Sequence, residues 1–93
     1  MSQNIYDVTV IGGGPAGLFS AFYAGLREMK TKIIDGQVKL GGKVHLYPQK
    51  MIWDIGGTEP IAAGKLIEKS IAQGLTFEPD VVLNTIVTNI QKV

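Results

Sequence analysis

The chain contains no cysteine, and only one histidine and one tryptophan, among its 93 residues. Without a thiol it can supply no disulfide, no thiolate metal site and no redox-active dithiol. One histidine with no clustered ligands also argues against a metal site built from its own side chains. Charge is sparse in both signs: nine Lys and Arg against eight Asp and Glu leave a net charge of +1. There is no basic stripe, which speaks against a nucleic acid or another polyanion as partner. Low-complexity segments and internal repeats are missing too. Any redox chemistry would therefore have to come from a bound cofactor.

Glycine, by contrast, is abundant, with 12 residues, and clusters at positions 12–14, 41–42 and 56–57 between apolar segments. That placement suits backbone shaped around a ligand better than a flexible linker. The first cluster is the most informative. Tyr6–Ile11 reads as a short apolar strand, and Leu18, Phe19, Phe22, Tyr23 and Leu26 as the apolar positions of a helix. Between them Gly12, Gly14 and Gly17 fall on the G-x-G-x-x-G spacing. Gly12 permits the tight turn, Gly14 lets a pyrophosphate approach the backbone, and Gly17 lets the helix lie close to the strand. Pro15 suits the first helical position. The N–H groups of that first turn, around Ala16 and Gly17, and the positive end of the helix dipole form an anion site.

A second strand, Thr31–Ile34, ends on Asp35, 18 residues past Gly17. That separation is close to the ~20 residues expected for the carboxylate that accepts ribose hydroxyls. The other reading of the same residues is a structural glycine turn with an acidic loop residue. Val8 to Leu26 also runs 19 residues without a charge, nearly the length of a membrane span. Gly12–Pro15 oppose a continuous helix there. Met1 to Asp7 lacks the Lys or Arg of a signal peptide. The expectation is a soluble, cytoplasmic chain.

After Asp35 a long loop runs from Gly36 to Pro48, a length that is often functional. A short apolar piece, Met51–Ile55, leads into Gly56-Gly57. A helix is expected to start near Thr58 or Glu59 with Pro60 in its first turn. Ile61, Leu66, Ile67 and Ile71 would form its buried face, and Gly74 would end it as the C′ residue. Two final strands are expected at Asp80–Leu83 and Thr85–Ile90. The order β-α-β, loop, α-β-β places the first two strands parallel and adjacent. It leaves the glycine-loop strand at an uncovered sheet edge, so the sequence reads as the opening part of a longer chain.

Leu40-Gly41-Gly42-Lys43, Leu46-Tyr47-Pro48-Gln49-Lys50 and Trp53-Asp54-Ile55-Gly56-Gly57 add further motifs. Together with the Gly12–Gly17 loop and Ile33-Ile34-Asp35, they resemble the thioredoxin-reductase-like type of ferredoxin–NADP⁺ reductase. The resemblance covers residues 5–93 and implies an α/β, three-layer, Rossmann-like FAD-binding fold. Residues 1–93 would be the N-terminal, incomplete segment of that domain, with the NADPH domain elsewhere. It also implies a homodimer that passes electrons from NADPH through FAD to ferredoxin or flavodoxin. By position, Gly12, Gly14, Pro15, Ala16 and Gly17 would hold the FAD pyrophosphate and Asp35 the ribose.

Gly42 and Lys43 would then stand near the phosphates, although the family usually has Gln rather than Lys at the latter position. Tyr47 would lie against the flavin ring, Asp54 near it, and Val87 would offer backbone groups to the adenine. Each has a plainer reading. Tyr47 can be a surface aromatic beside a turn proline, Lys43 a solvated loop lysine, Asp54 the end of a short strand and Val87 a strand residue facing a helix. Trp53 reads as core or subunit contact. No side chain is assigned a catalytic role. The same fold also serves thioredoxin reductase, and a third possibility is a nucleotide-binding module without activity of its own.

Overall fold

The computed structural model describes residues 5–42 and 46–92. Strand β1 (Val8–Ile11) runs into helix α1 (Pro15–Leu26), which returns to strand β2 (Thr31–Ile34). Two short strands follow, β3 (Met51–Ile52) and β4 (Ile61–Ala62), then helix α2 (Ala63–Gly74) and strand β5 (Asp80–Val82). The main sheet has the order β1-β2-β5, parallel throughout, with Val10 opposite Ile33 and Ile33 opposite Val81. Among the described residues β1 is therefore an edge strand, as the element order implied.

Period-two alternation sends Val10 and Ile33 toward the helices. There Leu18, Ala21, Ile33, Leu40 and Ile67 form the core, with Val10, Ile71, Leu75 and Leu83 packed around it. Leu18 and Ile33 are completely buried, and each such side chain contributes roughly 1.5–3 kcal/mol. The helices gather on this one face. On the other face Ile11 of the edge strand is 55% exposed. Trp53 is 72% exposed and stands outside the core.

Three sequence expectations are corrected. Helix α2 begins at Ala63, not near Thr58 or Glu59. Gly57, at φ +77°, turns the chain so that Ile61 and Ala62 pair antiparallel with Ile52 and Met51. The first α2 amides then find acceptors outside the helix. Ala63 N–H donates to the Lys50 carbonyl and Gly64 N–H to the Pro48 carbonyl, both at 2.8 Å. Those bonds satisfy helix-start donors that would otherwise be orphaned, and they outweigh the start signal of Pro60.

Gly74 is the last residue of α2 rather than the residue beyond it. It is buried at the crossing with α1, where a Cβ would lie 2.8 Å from Leu18 Cδ2. Thr85–Ile90 is not a strand. Asn84 takes a left-handed φ of +54° and turns the chain out of the ladder. Its N–H goes to the Gln37 carbonyl, and Thr85 N–H goes to the Asp35 carbonyl. Ile86 and Ile90 are left exposed.

Candidate functional site

The site forms at the C-terminal end of β1. Gly12 N–H still donates to the Ile34 carbonyl at 2.8 Å, which carries the β1–β2 ladder one residue further. At φ +104° the chain then turns, a conformation that L side chains disfavour. Gly14 becomes the N-cap of α1 without a side-chain cap, and Pro15 fills the first helical position. Gly17 sits so close beneath the turn that a Cβ would collide with the Gly12 carbonyl oxygen. The division of labour expected for these glycines is realised at Gly12 and Gly17. At Gly14 the space for a Cβ touches only Gly42 Cα, at 3.9 Å.

No acidic residue occupies the first turn of α1, so the positive end of the helix dipole is not neutralised locally. The amides of Gly14, Ala16 and Gly17 have no partner among the described residues. Gly13 differs. Its N–H donates to Asp35 Oδ2 at 2.6 Å, and its carbonyl accepts from Gly41 N–H at 2.7 Å. Asp35 Oδ1 accepts from Gln37 N–H at 2.8 Å, and Asp35 is buried.

Gly12, Gly14, Asp35, Gln37, Lys39 and Gly42 line a cleft of ≈ 430 Å³, with the exposed side chains of Val38 and Leu46 beside them. The fold thus brings Gly12, Gly14, Asp35 and Gly42 together, with Pro15, Ala16 and Gly17 in the adjoining first turn. The other expected site residues stand apart. Tyr47 is 55% exposed, does not line the cleft, and has Lys50 Nζ 5.8 Å from its ring centroid. Asp54 is exposed just after β3, and Val87 is half-buried in the segment that is not a strand. Lys43 lies outside the described residues.

Sequence reasoning passed over Gly13, Gln37, Val38, Lys39 and Leu46. Gly13 is a variable position of the glycine motif, and only its being a third consecutive glycine hinted at a tight environment. The remaining four sit in a loop whose path no periodicity reports. Among the described residues no group of three or more His, Cys, Asp or Glu could hold a metal ion. No described helix is long and apolar enough to cross a membrane.

No protein-family model matches the chain. Among curated proteins, ferredoxin–NADP reductase 1 of Bacillus cereus is 67% identical over 88 residues, which cover 95% of this chain and 25% of that protein. The reductase of the same name from Bacillus licheniformis is 64% identical over 93 residues, covering 99% of this chain and 27% of that one. Among solved structures, thioredoxin reductase from Streptococcus pyogenes superposes with a TM-score of 0.82 at 28% identity. That match covers 99% of this chain and 29% of the other. The chain therefore spans about a quarter of the length of the curated relatives it matches.

Proposed function

Because the chain belongs to the thioredoxin-reductase-like ferredoxin–NADP reductases, as an N-terminal portion of their fold, we propose that its cleft holds the ADP half of FAD. The carrying observation is the convergence at one place of three features. These are an uncapped helix start with unpartnered amides, a backbone turn that leaves no side chain in the way, and a buried carboxylate at the end of the adjacent strand β2. Amides of Gly14, Ala16 and Gly17 would meet the pyrophosphate, where helix-start donors and the dipole favour negative charge. A carboxylate has about four acceptor positions. Asp35 uses two of them on backbone amides, which leaves capacity for ribose hydroxyls.

Bound FAD would supply the redox chemistry, accepting reducing equivalents from NADPH and passing them on to ferredoxin or flavodoxin. The residues of this chain would bind and orient the cofactor. Gly42 would let the second glycine pair stay close to the first, since its Cβ position lies only 3.1 Å from Gly14 Cα. Tyr47, Lys43, Asp54 and Val87 remain proposed contacts to other parts of the same cofactor. A homodimer of the whole protein is proposed on the family resemblance, and the cytoplasm as its location.

Hydride transfer needs nicotinamide and flavin held face to face. We expect no NADPH-dependent dye reduction from residues 1–93 alone, with the NADPH site on the remaining length of the protein. Thioredoxin reductase is the second reading, favoured by the backbone match to the S. pyogenes enzyme. A redox Cys-x-x-Cys in the rest of the polypeptide would favour it. The test of the cofactor assignment is the visible absorption spectrum of purified, desalted protein after incubation with FAD. Flavin bands that survive desalting support the assignment; a colourless full-length protein would refute it.

A further inference from the structure

Both polar groups of the Gly13 backbone are taken by the segment that follows β2. Asp35, at its start, accepts the Gly13 N–H at 2.6 Å, and Gly41, near its end, donates to the Gly13 carbonyl at 2.7 Å. The second carboxylate oxygen is tied to Gln37 N–H at 2.8 Å, which stiffens the start of the same segment. Asp35 is only 8% exposed, and hydrogen bonds to a charged acceptor out of water are the strong kind. Leu40 closes the remaining space, because its Cδ2 occupies the place of a Gly13 Cβ. The glycine turn is thus clamped from outside, at its centre, by groups of the chain itself.

We propose that Asp35 is a positioning residue that latches the glycine loop in its anion-binding shape before a cofactor arrives. This role is separate from any ribose contact and rests on the cofactor reading above. The latch removes the Gly13 amide from the set that can meet a pyrophosphate and leaves that task to Gly14, Ala16 and Gly17. Without it the loop must be ordered at the moment of binding, and affinity falls by that cost. A ribose contact predicts the same loss for a different reason, so the two have to be separated.

The experiment is a cycle between protein and ligand in the full-length protein. FAD affinity is measured by flavin fluorescence for the wild type, Asp35→Ala and Asp35→Asn. It is then repeated with an FAD analogue whose adenosine ribose lacks its 2′ and 3′ hydroxyls. The latch predicts that Asp35→Ala weakens both ligands by a similar factor, roughly 10-fold or more for lost charge-assisted bonds. Asp35→Asn, which keeps one carbonyl acceptor, loses less and serves where the alanine variant does not fold. A loss that vanishes with the analogue would assign Asp35 to the ribose alone and overturn the latch.

Amide hydrogen exchange of the ligand-free protein gives the independent readout. Gly13 should be protected in the wild type, and Gly13 or Gln37 should exchange faster in the asparagine variant. Rapid Gly13 exchange in the wild type would also overturn the latch. A wild type that takes up neither ligand refutes the cofactor reading instead, and Gly13 exchange then decides the latch by itself.

Discussion

Any side chain at position 17 would place its Cβ on the carbonyl oxygen of Gly12, closer than two atoms can stand. The same Cβ would lie 3.0 Å from Val10 Cγ1. Helix and strand are therefore held at a separation that only glycine allows, and the turn between them inherits that geometry. Gly17→Ala should cost about 2–3 kcal/mol of stability, the scale of an overpacked core, and weaken FAD binding with it. Thermal denaturation and a flavin titration check both. An unchanged melting midpoint would mean that the helix can lift away from β1 freely.

Gly13 and Leu40 compete for one space, which makes a cycle informative. Gly13→Ala alone should destabilise strongly, since the new Cβ meets Leu40 Cδ2 and also lies 3.0 Å from Asp35 Oδ2. Leu40→Ala alone should cost about 2–5 kcal/mol as a core truncation. The double variant should be more stable than the sum of the two by about 1 kcal/mol or more, because the truncated side chain makes room. Denaturant titrations of all four proteins measure the coupling. Simple additivity would show that Leu40 does not limit the glycine loop.

Helix α1 ends in a Schellman arrangement with glutamate where glycine is usual. Glu28 N–H donates to the Gly25 carbonyl at 2.9 Å and Met29 N–H to the Ala24 carbonyl at 3.0 Å, with Glu28 at φ +61°. A non-glycine residue is strained in that conformation. Glu28→Gly should stabilise the protein by about 0.5–1 kcal/mol, the relief of strain being partly offset by a freer unfolded chain. Far from the cleft, it should leave FAD affinity unchanged. A shift of the urea midpoint to lower denaturant would contradict the assignment.

At the end of the sheet opposite the cleft, the Tyr6 hydroxyl donates to the Asp80 carboxylate. Lys30 and Lys32 each place Nζ 5.0 Å from the Tyr6 ring centroid. The hydrogen bond to Asp80 is the main cause that holds the Tyr6 phenol above the ordinary tyrosine value of 10.0. A raised value in the folded state means that the neutral phenol is favoured. Its contribution to stability is complete below the unfolded tyrosine value and disappears as pH rises through the folded one. Spectroscopic titration of phenolate formation should show a late-titrating tyrosine in the wild type. Tyr6→Phe should remove it and flatten the alkaline decline in stability.

What was legible in the sequence was local. The β-α-β unit, the Gly12–Gly17 turn and the acid at the end of β2 each follow from short-range chemistry. Strand residues alternate, a proline opens the helix, and glycine stands where a carbonyl passes. The start of α2 was not legible, because the Lys50 and Pro48 carbonyls that receive its first amides belong to a segment more than ten residues away. Gly74 looked like a helix terminator because a sequence carries no sign of the Leu18 side chain packed against it. Thr85–Ile90 had a strand's alternation, yet the turn at Asn84 took it off the sheet.

The sequence by itself determined that this chain turns a parallel strand into a helix over glycine, with an acid one strand away, since those are properties of neighbours along the backbone. Only the tertiary structure decided that this acid grips the middle glycine and that the second glycine pair lies against the first. Both depend on segments more than twenty residues apart meeting in the fold, and a hydrogen bond across that distance has no period to betray it.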